Sequence, residues 1–116
     1  MRTPILLASL LLIAACGGSG YATSPGNTTT GPQVTTSVNI SGIAFGPSAI
    51  QVSPSAVVTW TNSDNINHNV TFSNAAVGAT ANFATGAKSL TMPATTGTYS
   101  YHCTIHPSMT GTVEVK

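Results

Sequence analysis

Three side chains near the carboxyl end of the chain could together bind a soft transition metal. Cys103, His106 and Met109 offer a thiol, an imidazole and a thioether at intervals of three residues. Copper that alternates between Cu(I) and Cu(II) needs a thiolate and two imidazoles in a trigonal plane, with a methionine sulfur as a weak axial donor. This stretch therefore supplies three of the four donors that a redox-active copper ion requires.

The second imidazole has to come from elsewhere, and the remaining histidines are His68 and His102. His102 is adjacent to Cys103 on a predicted strand, so the two side chains point to opposite faces of a sheet. We therefore predict His68 as the fourth donor and His102 as an exposed or hydrogen-bonded strand residue. A single buried cysteine is usually just a small apolar side chain, but here all four donor types occur together.

Alternating apolar and polar residues beyond the N-terminal segment predict short strands separated by turns. Val34, Val38 and Ile40 alternate in one such run, and the single tryptophan, Trp60, lies in another. Beyond the first run, strands are expected over residues 56–62, 68–72, 98–103 and 112–115. Turn residues recur at regular spacing, and no stretch has a convincing helical period. We expect seven or eight strands that form an all-β sandwich. The Ala- and Gly-rich stretch 75–87 is ambiguous, with Phe83 expected to pack inward.

The composition favours a small all-β domain. Only 4% of the 116 residues are charged, against about a quarter in ordinary globular chains. Thr, Ser, Gly, Val and Ala dominate instead, and β-branched residues favour strands while Gly and Ser mark turns. The formal net charge is +1 at pH 7, without clusters of either sign. Nucleic acids and acidic lipid surfaces are therefore poor partner candidates.

The N-terminus has the features of an export signal. An arginine precedes an apolar run that is too short to span a bilayer, so we interpret residues 1–15 as a signal peptide. The sequence Ile13–Cys16 resembles the bacterial lipobox, in which the cysteine is acylated and becomes the first residue of the mature lipoprotein. We therefore predict lipidation of Cys16. The alternative is a disulfide between Cys16 and Cys103, the usual expectation for two cysteines in an exported chain.

The predicted export signal also implies that the chain has three parts: the signal, a tether and a folded domain. Residues 16–32 are rich in Gly, Thr, Ser and Pro, which predicts a flexible tether after the lipidated cysteine. The folded domain is expected to comprise residues 33–116. We predict that this domain lies at the periplasmic or cell-surface face of a bacterial membrane and contacts that membrane through its lipid alone.

The folded part resembles the cupredoxins, and among them amicyanin most closely. The resemblance covers Val38 to Val115. It rests on four motifs: Ile40-x-x-Ile43-x-Phe45-x-Pro47, Val58-Thr59-Trp60-Thr61-Asn62, His68-Asn69-Val70 and Tyr101-His102-Cys103-x-x-His106-Pro107-x-Met109. The short spacings in the last motif favour amicyanin over plastocyanin, whose final spacing is longer. The resemblance implies a Greek-key β-sandwich that holds one type 1 copper ion.

The resemblance also implies a role for each donor. Cys103 would be the thiolate that dominates the electronic structure, and His68 and His106 would be the equatorial imidazoles. Met109 would be the long axial thioether.

Three more residues are expected to support these donors. Asn69 would hydrogen-bond across to the loop near Thr104 and keep the geometry fixed between oxidation states. The chain departs from amicyanin at Ile105, where amicyanins usually have proline. Unlike proline, Ile105 has an N–H that can donate to the ligand sulfur. Such a bond would raise the reduction potential, and Ile105→Pro would lower it.

These features predict a blue copper protein that shuttles single electrons between redox partner proteins. We expect a monomer that docks through an apolar patch around His106, with Ile66 and Phe45 in it. We do not expect an enzyme, because four protein ligands close the metal to substrates. The alternatives are a copper carrier or storage lipoprotein without a redox role and a non-metal β-sandwich binding module. Storage proteins tend to offer several exposed Met or His donors, whereas the mature chain has only Met92 and Met109 as methionines.

Overall fold

The structure is a computed structural model that describes residues 31–116. The predicted signal peptide, residues 1–15, and the predicted lipidation site, Cys16, lie outside the described residues. The same holds for the predicted tether up to residue 30. Within residues 31–116, no helix is long and apolar enough to cross a membrane.

The described part of the chain folds into nine β-strands in two sheets. The strands are β1 Gln33–Val34, β2 Ser37–Ile40, β3 Phe45–Gly46, β4 Ala49–Val52, β5 Val57–Asn62, β6 Thr71–Phe72, β7 Gly86–Thr91, β8 Gly97–His102 and β9 Thr110–Val115. One sheet has the order β1-β4-β9-β8-β6, and the other has the order β3-β2-β5-β7. Strand β4 is parallel to β1 and β9, and β2 is parallel to β5. The predicted all-β sandwich is confirmed.

The structure has nine strands where the sequence predicted seven or eight, because the first predicted strand is divided. Strand β1 pairs with β4 in the five-stranded sheet, whereas β2 pairs with β5 in the other sheet. The chain therefore changes sheets between Val34 and Ser37. Alternation of apolar residues reports which face of a strand is buried, but not which sheet the strand joins.

Side chains of the longer strands alternate between the core and the surface. In β5, Val58 and Trp60 are fully buried, while Val57 is exposed. In β8, Tyr99 and Tyr101 are buried and Ser100 between them is exposed. This period of two residues is what a sheet with one face on the core requires.

An aromatic cluster fills the core beneath the end of β8. The ring of Tyr101 lies 4.8 Å from that of Phe45, 5.4 Å from that of Trp60 and 5.0 Å from that of Phe72, measured between centroids. Tyr101 also packs over Gly111 on β9, where a Cβ atom would come within 2.4 Å of the tyrosine ring. The cluster gives a rigid base to the loop that follows β8.

Strands β8 and β9 bring the two ends of that loop together. They pair antiparallel from Gly97 opposite Val115 to His102 opposite Thr110. The seven residues between them, Cys103–Met109, form the loop that carries three of the four predicted donors. We call this segment the ligand loop.

Candidate metal centre

Backbone hydrogen bonds close the ligand loop upon itself. The Cys103 N–H donates to the Met109 carbonyl oxygen at 3.0 Å, and the Met109 N–H donates to the His106 carbonyl oxygen at 2.8 Å. The three-residue spacing seen in the sequence thus corresponds to a tight turn at the end of the β8–β9 hairpin. Hydrogen bonds within the loop therefore hold the backbone of Cys103, His106 and Met109 in place.

His68 reaches the same place from the connection between β5 and β6. Its N–H donates to the Phe83 carbonyl oxygen at 3.2 Å, and the Phe83 N–H donates back to the His68 carbonyl oxygen at 2.9 Å. Phe83 is buried as expected, and His68 is 0% exposed. The strand predicted to begin at His68 starts only at Thr71, so His68 is held by this isolated bridge and not by a continuous ladder.

The donor atoms of three predicted ligands converge on one point. Cys103 Sγ lies 3.9 Å from His68 Nδ1 and 3.9 Å from His106 Nδ1. The candidate donor atoms of the three residues all lie within 4.8 Å of one another. A metal bonded to sulfur at about 2.3 Å and to nitrogen at about 2.0 Å in a trigonal plane separates those two atoms by about 3.7 Å. The arrangement therefore fits a single ion.

The donors differ in their access to solvent. Cys103 and His68 are fully buried, Met109 is 2% exposed, and His106 is half-buried. Cys103 has no disulfide partner among residues 31–116. A buried cysteine sulfur with two imidazoles, and a buried methionine at the end of the same loop, is a soft donor set that suits copper and not the hard ions magnesium or calcium. His106 is the donor through which the centre approaches the surface.

Asn69 links the His68 segment to the ligand loop through its side chain. Its Nδ2 donates to Thr104 Oγ1 at 2.7 Å and to Asn82 Oδ1 at 2.9 Å, while its Oδ1 accepts from the Thr104 N–H at 3.1 Å and from Thr71 Oγ1 at 2.9 Å. Asn69 is 4% exposed. Its side-chain amide donates two hydrogen bonds and accepts two. The predicted bond across to Thr104 is present in the structure, and Asn82 and Thr71 are further partners.

The hydrogen bond to the ligand sulfur differs from the one expected. Cys103 Sγ accepts from the backbone N–H of Asn69 at 3.5 Å. Within residues 31–116, the Ile105 N–H does not donate to this sulfur. Ile105 is 42% exposed at the outer turn of the ligand loop. The hydrogen bond to the Cys103 sulfur therefore comes from the residue after His68 and not from within the ligand loop.

Asp64 contacts the second nitrogen of His68 and was not among the site residues predicted from the sequence. Asp64 Oδ2 lies 3.0 Å from His68 Nε2 and accepts from the Ile43 N–H at 2.8 Å, while Oδ1 accepts from the Gly42 N–H at 2.6 Å. The bond from Ile43, followed by those from Gly42 and His68, holds the pKa of Asp64 below its ordinary value, although partial burial opposes this. The available signal was a carboxylate four residues before a candidate ligand.

The predicted apolar docking patch needs one correction. Phe45 is 5% exposed because its ring packs on Tyr101 in the core, so it cannot contact a partner protein. Ile66 is 43% exposed, as the prediction required. Ile43 and Ile105, which are 47% and 42% exposed, are the other large apolar side chains on segments that meet at the centre.

Comparison with protein families agrees with this geometry. Residues 32–116 match the family described as copper binding proteins, plastocyanin/azurin family. The chain belongs to this family. The predicted resemblance to cupredoxins is thereby confirmed, and copper, one ion per chain, is the cofactor.

Solved structures of cupredoxins resemble the chain over most of its length. A reduced amicyanin variant is 35% identical, with 69% of this chain and 80% of the amicyanin covered and a TM-score of 0.62. A second reduced amicyanin variant is 32% identical, with 78% and 87% covered and a TM-score of 0.62. A purple cupredoxin from Nitrosopumilus maritimus is 22% identical, with 69% and 98% covered and a TM-score of 0.59, which supports the fold alone. Comparison with curated protein sequences gives no match.

The residues of this cupredoxin fit the ion that its family binds. His68, Cys103 and His106 would hold copper, and buried Met109 at the end of the ligand loop would be the fourth donor. When bound, copper supplies a one-electron couple between Cu(II) and Cu(I). The chain supplies donors whose backbone is already hydrogen-bonded in place.

Proposed function

We propose that this cupredoxin is a type 1 blue copper electron carrier. The observation that supports the proposal is the protein-built geometry of the centre. Cys103 Sγ lies at the same distance, 3.9 Å, from both imidazoles, and backbone bonds fix the ligand loop at 3.0 and 2.8 Å. Donors held in this way move little when the charge of the ion changes, and little reorganisation favours rapid transfer of single electrons.

The surface around His106 supports docking of a redox partner. Ile43, Ile66 and Ile105 are each between 42% and 47% exposed, and we call these three residues together with half-buried His106 the docking face. Hydrogen bonds of Asp64 and Asn62 hold the segments of Ile43 and Ile66, and Asn69 holds the ligand loop through Thr104. We propose that a partner with a matching apolar surface binds here and exchanges electrons through His106.

Electron self-exchange between two copies of the protein tests this function. Mixtures of the Cu(I) and Cu(II) forms should show rapid exchange in NMR line broadening. Ile66→Lys should slow it, because two positive charges would meet when two docking faces approach. Val57→Lys is the matched control, since Val57 is 53% exposed at the opposite end of β5 from Asn62. A copper carrier or storage protein would instead exchange electrons slowly in all three proteins and would release Cu(I) to a chelator.

We further propose that the protein acts as a monomer held at a bacterial membrane by a lipid on Cys16. The support is the sequence Ile13–Cys16, which resembles the lipobox. In a bacterial host, Cys16→Ser should move the protein into soluble fractions or leave it unprocessed, and its copper site should be unaffected. A newly reactive thiol at Cys103 in Cys16→Ser would favour the disulfide between Cys16 and Cys103.

The proposed function includes no chemistry on a substrate. Cys103 and His68 are 0% exposed, and Met109 is 2% exposed. A reacting molecule would have to displace one of these donors to reach the ion, whereas catalytic metal sites keep an open position. We therefore expect electrons, and not substrates, to reach this copper.

A further inference from the structure

We propose that Asp64 is a positioning residue of the copper centre, whose carboxylate fixes the His68 ring and places a negative charge behind it. The inference rests on copper binding by His68, which the proposed function also uses, but it does not require electron transfer to a partner. It gives a role in the metal centre to the single aspartate of the chain.

The two nitrogens of His68 face different groups. Nε2 lies 3.0 Å from Asp64 Oδ2, and Nδ1 lies 3.9 Å from Cys103 Sγ. An ionised carboxylate can only accept a hydrogen bond, so the proton of a neutral His68 has to be on Nε2. The lone pair is then on Nδ1, which points towards the sulfur and the place of the ion. With the ring 0% exposed, water does not compete for either nitrogen.

Asp64 is itself held in place from several directions. Its two oxygens accept from the successive N–H groups of Gly42 and Ile43, whose φ angles are +63° and +55°. Successive N–H groups in such conformations form a cradle for an anion. A β-branched residue rarely adopts a positive φ, so the carboxylate compensates for an unfavourable backbone at Ile43. The Asp64 N–H also donates to Asn62 Oδ1 at 2.8 Å.

A carboxylate behind a metal-bound imidazole changes the affinity for the two oxidation states unequally. The hydrogen bond makes the imidazole a stronger donor, and the negative charge stabilises Cu(II) more than Cu(I). Loss of such an outer partner typically lowers metal affinity by about 10- to 100-fold. We expect Asp64→Asn to weaken Cu(II) binding about tenfold more than Cu(I) binding. This ratio corresponds to a rise of about 59 mV in the one-electron reduction potential.

Glu114→Gln is the matched control for the charge. Glu114 is the other acidic residue of the chain, and its carboxylate lies 3.9 Å from Lys116 Nζ near the end of β9 that is remote from the ligand loop. The measurements are the reduction potential by voltammetry and the affinities for Cu(I) and Cu(II) by competition with chelators. Asp64→Asn should raise the potential, and Glu114→Gln should leave it nearly unchanged. Equal potentials in the two variants would overturn the proposal and reduce Asp64 to a residue that holds the Gly42–Ile43 turn.

A measurement on the unsubstituted protein covers the case in which Asp64→Asn does not fold. In the diamagnetic Cu(I) form, ¹⁵N NMR should show His68 with a slowly exchanging proton on Nε2 and with an Nδ1 resonance that shifts on metal binding. A rapidly exchanging proton on Nε2 would overturn the role of Asp64 alone, whereas a proton on Nδ1 in this form would also exclude Nδ1 as a copper donor. An Nδ1 resonance that does not respond to Cu(I) would show that His68 is not a ligand, and the proposed copper site would then fail as well.

Discussion

The sulfur of Cys103 is the atom through which hydrogen bonds tune the centre most directly. A donor to the thiolate withdraws electron density from it and weakens its binding of Cu(II) more than of Cu(I). In the structure this donor is the Asn69 N–H at 3.5 Å. The exposed ligand-loop residue Ile105 has an N–H as well, but this N–H does not reach the sulfur within the described part of the chain.

Replacing Ile105 by proline tests which residue donates to the sulfur. A bond worth about 1 kcal/mol in favour of Cu(I) would contribute about 40 mV to the potential. Because Asn69 is the donor, Ile105→Pro should change the potential by much less than this. Ile105→Ala, which keeps the N–H but loses the side chain, is the control in the same voltammetry. A decrease near 40 mV in the proline variant alone would show that Ile105 donates after all.

The raised pKa of Tyr101 predicts how the free energy of unfolding depends on pH in the alkaline range. Burial raises the pKa of Tyr101 to about 12 from its ordinary 10.0, and the nearby Trp60 N–H offsets part of this effect, although neither group has a partner at hydrogen-bonding geometry. Between these values the folded chain keeps a proton that the unfolded chain releases. The free energy of unfolding should therefore fall as the pH rises, by about 1.4 kcal/mol at pH 11 from this residue.

Urea unfolding of the copper-free protein at pH 8 and pH 11 measures this contribution. Tyr101→Phe removes a hydroxyl that has no partner, so it should cost little stability at pH 8. At pH 11 the difference in stability between Tyr101→Phe and the unsubstituted protein should move in favour of the variant by about 1.4 kcal/mol. The same pH dependence in both proteins would mean that Tyr101 can ionise within the fold.

At the level of single residues, the sequence predicted which side chains could bind the metal better than it predicted which side chains are buried or in contact. Spacing and donor type pointed to the positions that converge at the centre, because tight turns and copper ligation restrict both. Nothing in the sequence distinguished Phe45, which is buried, from Ile43, which is 47% exposed at positive φ. The contact of Asp64 with His68 depends on how the 42–43 turn folds against the β5–β6 connection, and no local pattern reports such a contact.

At the level of elements, Asn69 joins the β5–β6 connection to the ligand loop. The Asn69 side chain makes four hydrogen bonds, and the residue is 4% exposed. Asn69→Ala leaves the Thr104 N–H and two hydroxyl groups to find water instead. We expect the free energy of unfolding of the copper-free protein to fall by about 1–3 kcal/mol, and the visible and EPR spectra of the Cu(II) form to broaden as the loop gains freedom.

Asn82→Ala is the control for Asn69→Ala. Asn82 is exposed and contributes one of the four bonds, so its removal should cost well under half as much. Both variants can be compared by urea unfolding and by the Cu(II) spectra. An equal loss of stability in the two variants would show that the contact with Asn82, and not the link to Thr104, holds the connection.

Strand prediction succeeded where one chain segment stays in one sheet. Strands β5, β8 and β9 have clear alternation and were placed within a few residues. The division between β1 and β2 was missed because the sheet change occurs in two residues, Thr35 and Thr36, that fit a strand equally well. Strand β6 shortened to Thr71–Phe72 because His68 pairs with Phe83 from a long connection that the sequence left ambiguous.

At the scale of the whole molecule, the charges are few and balanced. From residue 17 onward, Lys88 and Lys116 oppose Asp64 and Glu114. With no net side-chain charge, long-range steering of a partner should be slight. The self-exchange rate should therefore change little when added salt shortens the Debye length from about 30 Å to about 8 Å.

The variant Lys88→Glu provides a reference for the salt dependence of the self-exchange rate. Lys88→Glu gives each copy a net side-chain charge of −2, so two copies repel and salt should accelerate their exchange. NMR line broadening at low and physiological ionic strength measures both proteins. A steep salt dependence in the unsubstituted protein would argue against docking through the apolar side chains of the docking face.

The central claim is that Cys103, His68, His106 and Met109 hold one copper ion in a type 1 site. Titration of the copper-free protein with Cu(II), followed by visible absorption, tests it most directly. We predict an intense blue band from charge transfer between thiolate and copper that saturates at one ion per chain and is abolished by Cys103→Ser. A colourless or pale complex, or a blue band that survives Cys103→Ser, would contradict it.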